Sequence, residues 1–364
     1  MKRDSATTYV IAAGGTGGHI FPGLALAGEI VAQRPKAHVV FIGTGEGLEA
    51  RLVPEAGFPL ETVHASGFSG KSVADRIRSL ARLPLSVREA RRLLRKLDPG
   101  AVVGLGAYVS VPVILAARSL SIPTLIHESN ALPGVANRLL SRVATRTAVG
   151  FEAARPRFSA RAVVTGTPVR KEFFAAPRPE TGGARPRRLL AFGGSQGSAA
   201  LNRAMVEAAP LLAGEGFEVV HQTGEKWLDS VRQAYGKLPE GWRLEPFLPR
   251  LFDSMGRCDL VICRAGAMTL AELGAAGRPA ILVPLASSTH GHQLANARAV
   301  AESGAAVVLE ERELSGRALA QTVRDLFAAP DRLERMAAQA RRLGKADAAA
   351  LLAGLLFEIE RRAT

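Results

Sequence analysis

The stretch AAGGTGGHIFPGLALA, Ala12–Ala27, sets four glycines, a threonine and a histidine between an apolar run and an amphipathic one. Before it, TYVIAA (Thr8–Ala13) reads as a buried strand; within it begins FPGLALAGEIVAQ (Phe21–Gln33), which reads as a helix. Glycine allows turns at positive φ and lets a ligand approach the main chain closely. Strand, glycine turn and helix, in that order, aim free N–H groups at an anion such as a phosphate. His19 is the ionisable side chain of the turn, with a free pKa suited to proton transfer near neutral pH.

The same device recurs about half a chain later, where GGSQGS begins at Gly193. Around the first loop the strand candidates are TYVIAA, HVVFIG, AVVGLG, PTLIHES and TAVGF. Around the second they are RRLLAFGG, FEVVHQTG, WRLEPFL, DLVICRAG, PAILVPL and AAVVLEE. Strands alternating with amphipathic stretches imply parallel sheets covered on both faces. The fold class is therefore α/β, doubly wound twice. The Pro/Arg-rich AAPRPETGGARPRR (Ala175–Arg188) reads as an exposed segment just past the junction. We expect a first domain over 1–166 and a second over 167–347, with a C-terminal helix at about 348–364 packing back on the first. Two such domains facing each other would set both glycine loops beside a central cleft.

Bulk properties bound the function. The 364 residues are comfortable for two domains, and 47% hydrophobic content is that of a globular chain. No window carries about 18 uninterrupted apolar residues, and the N-terminus runs directly into the first strand, so neither a membrane span nor a signal peptide is expected. Cys258 and Cys263 lie in one strand candidate without a second pair for zinc, and read as structural thiols of a reducing compartment. The net charge of +14 suits nucleic acid, an anionic membrane surface or a phosphorylated substrate. With aromatics at 5% and no alternation of aromatic and basic residues, nucleic acid ranks last.

Familiar phosphate motifs fail. A dinucleotide fingerprint needs a third glycine where Ile20 stands and a carboxylate ending the second strand, and GFSGKS (Gly67–Ser72) lacks the first P-loop glycine at Ala65. Four other clusters remain. HESNALPG (His127–Gly134) gathers imidazole, carboxylate and amide after a strand, though an Asn-capped turn would look alike. GTPVR (Gly166–Arg170) offers a cation that could equally be a surface charge. DLVICRAGAMTLAELGAAGRPAILVP (Asp259–Pro284) ends a strand at Arg264–Gly266 and starts a helix near Ala267. Thr269 and Glu272 then share one face of its first turns. A helix N-terminus favours phosphate, whereas a carboxylate beside it needs neutral hydroxyls to bond. A nucleotide supplies both groups, phosphate and ribose; a capping-box glutamate is the other reading. In STHGHQLANA (Ser288–Ala297), His290 and His292 lack a third metal ligand, and a loop contacting sugar is the preferred reading.

Taken in order, GGTGGHIFPGLALA, GAYVSVPV, HESN, GTPVR, GGSQGS, FLPRL, CRAGAMTLAE and HQLANA resemble the MurG family of bacterial glycosyltransferases. The resemblance runs from about residue 10 to 297. It implies a GT-B fold and transfer of N-acetylglucosamine from UDP-N-acetylglucosamine to lipid I, the undecaprenyl-pyrophosphoryl-N-acetylmuramoyl-pentapeptide, giving lipid II for peptidoglycan. By motif it sets Thr16, Gly17 and Gly18 beside the donor, Asn130 on its sugar, and Arg170 and Ser195 near the diphosphate. Leu248 would meet the uracil through its backbone. Ala267, Met268, Thr269, Leu270, Ala271 and Glu272 would hold phosphate and ribose, and Gln293 the sugar hydroxyls. The family often has an acid where Gly291 stands, Ser for Ala265 and Gln for Ser129.

An inverting transfer needs a base within hydrogen-bond reach of the acceptor hydroxyl. His19 is the candidate, Glu128 the second choice, and a histidine that only fixes its own loop the alternative. Helix N-termini, loop N–H groups and Arg170 would stabilise the leaving diphosphate. No Asp-x-Asp signature is present, and neither a metal nor a cofactor is expected. From Lys71 to Lys96 nine basic residues face two acids, with Leu80, Leu83, Leu85 and Val87 interleaved. Such a segment can lie on the anionic cytoplasmic leaflet, or be an ordinary solvated helix face. Another GT-B transferase of UDP-sugars, a UDP-N-acetylglucosamine 2-epimerase and a non-catalytic sugar-nucleotide binder are the competing functions. Contacts with other cell-wall synthesis proteins are a further expectation.

Overall fold

The structure, a computed structural model, describes residues 7–65, 73–158, 162–177, 186–288 and 291–360, with backbone alone for 73–80. GFSGKS, Lys71, His290 and residues 178–185 of the Pro/Arg-rich stretch lie outside the described residues. The chain divides into two compact units, Met1–Arg170 with Ala346–Thr364, and Lys171–Lys345.

The first unit alternates β1 (Thr8–Ala12), α1 (Gly17–Gln33), β2 (His38–Gly43), α2 (Glu49–Glu55), β3 (Leu60–Thr62) and α3 (Val73–Leu97). It continues through β4 (Ala101–Gly104), α4 (Ser110–Ser119), β5 (Thr124–Glu128), α5 (Val135–Leu140), β6 (Arg146–Val149) and β7 (Ala162–Val164). These strands run parallel in the order β3-β2-β1-β4-β5-β6-β7. Alternation along β1 splits the core: Tyr9 and Ile11 pack with α1, while Val10 and Ala12 pack with α3, α4 and Leu140 of α5. The edge strands β3 and β7 are absent from the sequence expectation, because three residues are too short to show a period. Helix α1 starts at Gly17 rather than Phe21, so Gly17, Gly18 and His19 form its first turn.

The second unit begins with α6 (Lys171–Phe174), β8 (Arg187–Phe192), α7 (Ala199–Leu212), β9 (Phe217–Gln222), α8 (Leu228–Tyr235) and β10 (Trp242–Glu245). Then come α9 (Leu251–Arg257), β11 (Leu260–Cys263), α10 (Ala267–Ala276), β12 (Ala280–Leu282), α11 (His292–Glu302), β13 (Ala306–Val308), α12 (Gly316–Phe327) and α13 (Pro330–Leu343). Its parallel sheet has the order β10-β9-β8-β11-β12-β13. The last helix, α14 (Ala348–Ile359), belongs to the first unit: Leu352, Ala353 and Leu356 are fully buried beside Tyr9, Ile30 and Leu125. In each sheet the strand order reverses once, between β1 and β4 and between β8 and β11. Ligands of open α/β sheets bind at the carboxyl ends of strands at such a reversal, and both glycine loops lie there.

Thr167 to Arg170 stay with the first unit, whereas the sequence reading begins the second domain at 167. The buried His127 donates from Nε2 to the Gly166 carbonyl at 2.9 Å. The Arg170 guanidinium stacks 4.7 Å from the centre of the Phe21 ring on α1.

Candidate active site

In the first unit, Thr16 is the N-cap of α1 in an extended conformation (φ −118°, ψ 158°), and its side chain makes no cap bond. Its carbonyl instead accepts from the N–H of His19 at 3.1 Å and of Ile20 at 3.3 Å. His19 Nδ1 lies 2.8 Å from the carbonyl of Leu105, which directly follows β4 across the strand reversal. A carbonyl only accepts, so Nδ1 carries the proton and Nε2 holds the lone pair. Burial is the largest influence on this ring and lowers its pKa below the usual imidazole value. The Leu105 bond and the charge of Glu128 oppose that shift without reversing it. At neutral pH His19 is thus a neutral, half-buried base with a fixed tautomer.

Glu128 is not a free base. Its Oε1 accepts from the backbone and side-chain nitrogens of Asn130, both at 2.9 Å. Its Oε2 accepts from the Gly134 N–H at 3.1 Å and from Asn137 Nδ2 at 2.9 Å. With 3% exposure the carboxylate is an internal tie for the His127–Gly134 loop, which corrects its assignment as second-choice base. It also orients Asn130, the residue expected on the donor sugar.

The first glycine loop has a further partner that the sequence reading missed. Glu49, fully buried at the start of α2, accepts from the Gly15 N–H at 2.8 Å, the Thr44 N–H at 3.1 Å and the Thr44 hydroxyl at 2.7 Å. Burial alone would raise its pKa, but the bonds from Thr44 and Gly15 outweigh it and hold the carboxyl below its ordinary value. Nothing periodic or local in the sequence ties Glu49 to Gly15; only the GTGEGLE turn after β2, itself glycine-rich, hints at close packing.

In the second unit Ser195 sits exposed at the tip of the glycine loop after β8. Ser198 caps α7, accepting from the Leu201 N–H at 3.3 Å. The loop rests on the Thr223–Gly224 turn after β9, and a buried chain of hydrogen bonds fixes that turn. Asn202 Nδ2 donates to the Thr223 carbonyl at 3.0 Å, so its Oδ1 must accept from His221 Nε2 at 3.1 Å. His221 Nδ1 then accepts from the Tyr235 hydroxyl at 3.0 Å. Burial pushes the His221 pKa down to about 4, which keeps the ring neutral and the chain of bonds intact.

Helix α10 begins at Gly266, an N-cap without side-chain bonding. Leu270 N–H reaches the Gly266 carbonyl at 3.0 Å, while the N–H groups of Ala267, Met268 and Thr269 have no carbonyl within the helix to bond. Thr269 occupies the third helical position, so Glu272 lies a turn beyond where a capping-box glutamate must stand, and that alternative falls. Met268 and Leu270 are buried, while Ala267, Thr269 and Ala271 are half-exposed. Glu272 is 5% exposed on this helix. The loop before α10 is pinned by Asn296 of α11, whose Nδ2 donates to the Ala265 carbonyl at 3.2 Å. Arg264 Nη1 donates to the Val283 carbonyl at 3.2 Å and to Glu311 Oε2 at 3.0 Å; the same oxygen takes the Ala286 N–H at 3.1 Å. Gln293 Oε1 accepts from the Leu285 N–H at 3.0 Å, which orients its amide. Leu248 follows β10, half-buried, next to the exposed Phe247. Among the described residues no group of three or more His, Cys, Asp or Glu could hold a metal ion.

The structure thus brings Thr16, Gly17, Gly18 and His19 together on one helix start, with Arg170 on the Phe21 ring of that helix and Asn130 on the loop after β5. In the other unit Ser195 and Ala267–Glu272 sit at the ends of the neighbouring strands β8 and β11. Two parallel-sheet units of this kind, each with a glycine loop at its reversal, are the Rossmann-like halves of the GT-B fold class. The chain belongs to glycosyltransferase family 28, whose N-terminal domain matches residues 9–149 and whose C-terminal domain matches residues 188–352. Within it, the chain is 44% identical to the UDP-N-acetylglucosamine–N-acetylmuramyl-(pentapeptide) pyrophosphoryl-undecaprenol N-acetylglucosamine transferase of Anaeromyxobacter dehalogenans, over 97% of this chain and 93% of the relative. The transferase of that name from Methylococcus capsulatus is also 44% identical, over 97% and 99%. Among solved structures, MurG of Acinetobacter baumannii superposes with a TM-score of 0.81 at 31% identity, covering 97% of this chain and 99% of that one. A UDP-GlcNAc 2-epimerase from Neisseria meningitidis has a TM-score of 0.67 at 13% identity, a likeness of fold alone.

Proposed function

We propose that this chain transfers N-acetylglucosamine from UDP-N-acetylglucosamine to the C4 hydroxyl of the N-acetylmuramoyl sugar of lipid I, forming lipid II with inversion. Likeness to transferases named for that reaction over 97% of the chain supports the substrates. The observation that carries the mechanism is the Leu105 carbonyl on His19 Nδ1, which leaves Nε2 as acceptor on a neutral ring. Nε2 takes the proton of the acceptor hydroxyl as its oxygen attacks the anomeric carbon. The bond from that carbon to the diphosphate oxygen breaks, and UDP leaves with the electron pair. The imidazolium then returns its proton to water.

In this reading the donor is held by groups of fixed geometry. The N–H groups of Ala267, Met268 and Thr269 take the diphosphate, aided by the loop at Ser195, and Arg170 adds a positive charge for it. Glu272 accepts from the ribose hydroxyls, the Leu248 backbone meets uracil, and Gln293 and Asn130 meet the sugar. Thr16, Gly17 and Gly18 line the donor beside His19. No cofactor enters these steps.

We also assign the membrane as partner. No helix among the described residues is long and apolar enough to cross a membrane. On the sheet face that carries α3 and α5, Leu85 is 62% exposed among arginines, and Val135 and Leu139 are 52% and 56% exposed beside Arg138 and Arg142. Apolar side chains standing among cations suit peripheral attachment to the anionic cytoplasmic leaflet.

The test is UDP release from UDP-N-acetylglucosamine, with and without a lipid I analogue, by wild type and His19→Ala. Lipid-dependent release that collapses by about 100-fold or more in the variant, with UDP affinity intact, is expected of a lost general base. No lipid-dependent release by the folded wild type, given a competent substrate, would point to the epimerase or binding readings instead.

A further inference from the structure

The bare backbone at Gly14–Gly18 accommodates a side chain of this protein itself. The Gly15 N–H already meets an anion, the buried carboxylate of Glu49, at 2.8 Å. A Cβ on Gly14 would stand 2.9 Å from Glu49 Oε1, one on Gly43 would stand 2.7 Å from Glu49 Cγ, and one on Gly47 would overlap Oε2. Three glycines, one ending β2 and two in the loops after β1 and β2, therefore leave room for this one side chain. Its other oxygen is filled by Thr44, and the Gly15 carbonyl accepts from the Leu48 N–H at 3.4 Å, so Gly15 is held from both sides by the turn that starts α2. Gly15 precedes Thr16, whose carbonyl takes the N–H of His19. Any drift of Gly15 moves the start of α1 and with it the imidazole.

We infer that Glu49 is a positioning residue for the transfer reaction: an internal anion that fixes Gly15 and so aims His19 Nε2. This rests on the proposed role of His19. Glu49 is fully buried, its carboxylate bonded to Gly15 and Thr44. Its action is transmitted through one backbone N–H. In Glu49→Gln, an amide of the same shape, one end must present NH2 to N–H donors, at Gly15 or at Thr44.

The experiment measures lipid-dependent UDP release by wild type, Glu49→Gln, His19→Ala and the double variant, with UDP affinity and melting temperature for each. A loop displaced by a fraction of an ångström to 1 Å lowers kcat by about 10- to 100-fold. UDP affinity, which the proposed reading assigns to Ala267–Glu272, Leu248 and Arg170 and not to Gly15, stays within about twofold, and in the His19→Ala background the same substitution costs less than about threefold. Equal losses in both backgrounds, as a general loss of folded protein would give, overturn the inference. So does a kcat within about threefold of wild type. Should Glu49→Gln fail to fold, Thr44→Val removes one of the three bonds and is expected to lower kcat severalfold with the same dependence on His19; no change overturns the inference. If wild type shows no lipid-dependent release, the functional reading fails. The inference is then decided by the His19 ring nitrogen resonances, which Glu49→Gln shifts if Glu49 aims the ring and leaves unmoved if it does not.

Discussion

Gly197→Ala offers a quantitative test of how the second glycine loop is built. Gly197 has φ +68° and lies against the turn after β9. A Cβ there would overlap the Thr223 carbonyl oxygen and stand 2.8 Å from its carbon and 3.0 Å from Gly224 Cα. These are backbone atoms, held by Asn202 and His221, so no side chain can swing away. Ordinary carbon contacts lie near 3.5–4.0 Å, so loop and turn must part by roughly 1 Å. The left-handed backbone costs about 1–2 kcal/mol and the overpacking about 1–3 kcal/mol. For a unit of this size each kcal/mol lowers the melting temperature by about 2–4 °C, giving a fall of roughly 4–20 °C. A loop N–H displaced by 1 Å loses its bond to a charged oxygen, about 1.5–3 kcal/mol, or roughly 10- to 150-fold in UDP affinity. Calorimetric titration of UDP well below the melting transition measures the second effect and thermal unfolding the first. Gly214→Ala is the control: it shares the positive φ (+79°) but has open space around it, so only the backbone cost applies and UDP affinity stays at the wild-type value. If Gly197→Ala matches Gly214→Ala in both measurements, the argument from close packing is refuted.

Three further outcomes are expected. The acid limb of kcat/KM for the wild type falls below the pH at which free imidazole titrates, because burial lowers the His19 pKa and the base form persists as pH drops. A limb above about pH 6.5 would contradict that assignment. His221 is held neutral with a pKa of about 4, so between about pH 6.5 and 4 the unfolded chain binds a proton that the folded chain refuses. Stability should therefore decline by about 3 kcal/mol across that window as pH falls. The slope should flatten in His221→Gln, as read by denaturant unfolding. Finally, the wild type should sediment with anionic vesicles and be released as salt shortens the Debye length from about 10 Å at 0.1 M to about 3 Å at 1 M. Leu139→Glu should weaken that binding without altering UDP affinity, and unchanged sedimentation would count against the membrane face.

What the sequence made legible was what repeats or stands together along the chain. Buried strands such as Val10–Ala12 and Leu260–Cys263 show as continuous apolar runs, and each glycine loop stands between such a run and a helix. Residues at the loops could be placed for the same reason: Thr16, His19 and Ala267–Glu272 follow directly on their strands. The supporting side chains could not. Glu49 meets Gly15 across an intervening strand, His221 meets Asn202 and Tyr235 from separate elements, and Glu311 reaches Arg264 from beyond β13. Each is an acidic or imidazole group with no local signature, whose role comes from burial that only the folded chain creates. Glu128 illustrates the converse: a carboxylate beside a candidate site looks reactive in sequence, yet four N–H donors consume its lone pairs.

The return of α14 to the first unit has a consequence for how the protein is made. The second unit is an insertion between Arg170 and Ala346, and the first unit lacks one wall until the whole of that insertion has been made. Before α14 arrives, Tyr9 and Arg34 lack Glu360, Arg34 lacks the Phe357 face at 3.8 Å, and the apolar surface under Leu352 and Leu356 is open to water. On a ribosome, where synthesis runs from the N-terminus, the inserted unit can finish folding while the earlier-made one waits. A nascent chain stalled before Ala346 should therefore expose the α1 side of the first sheet to chaperones, and the unit that carries His19 would be the last to mature.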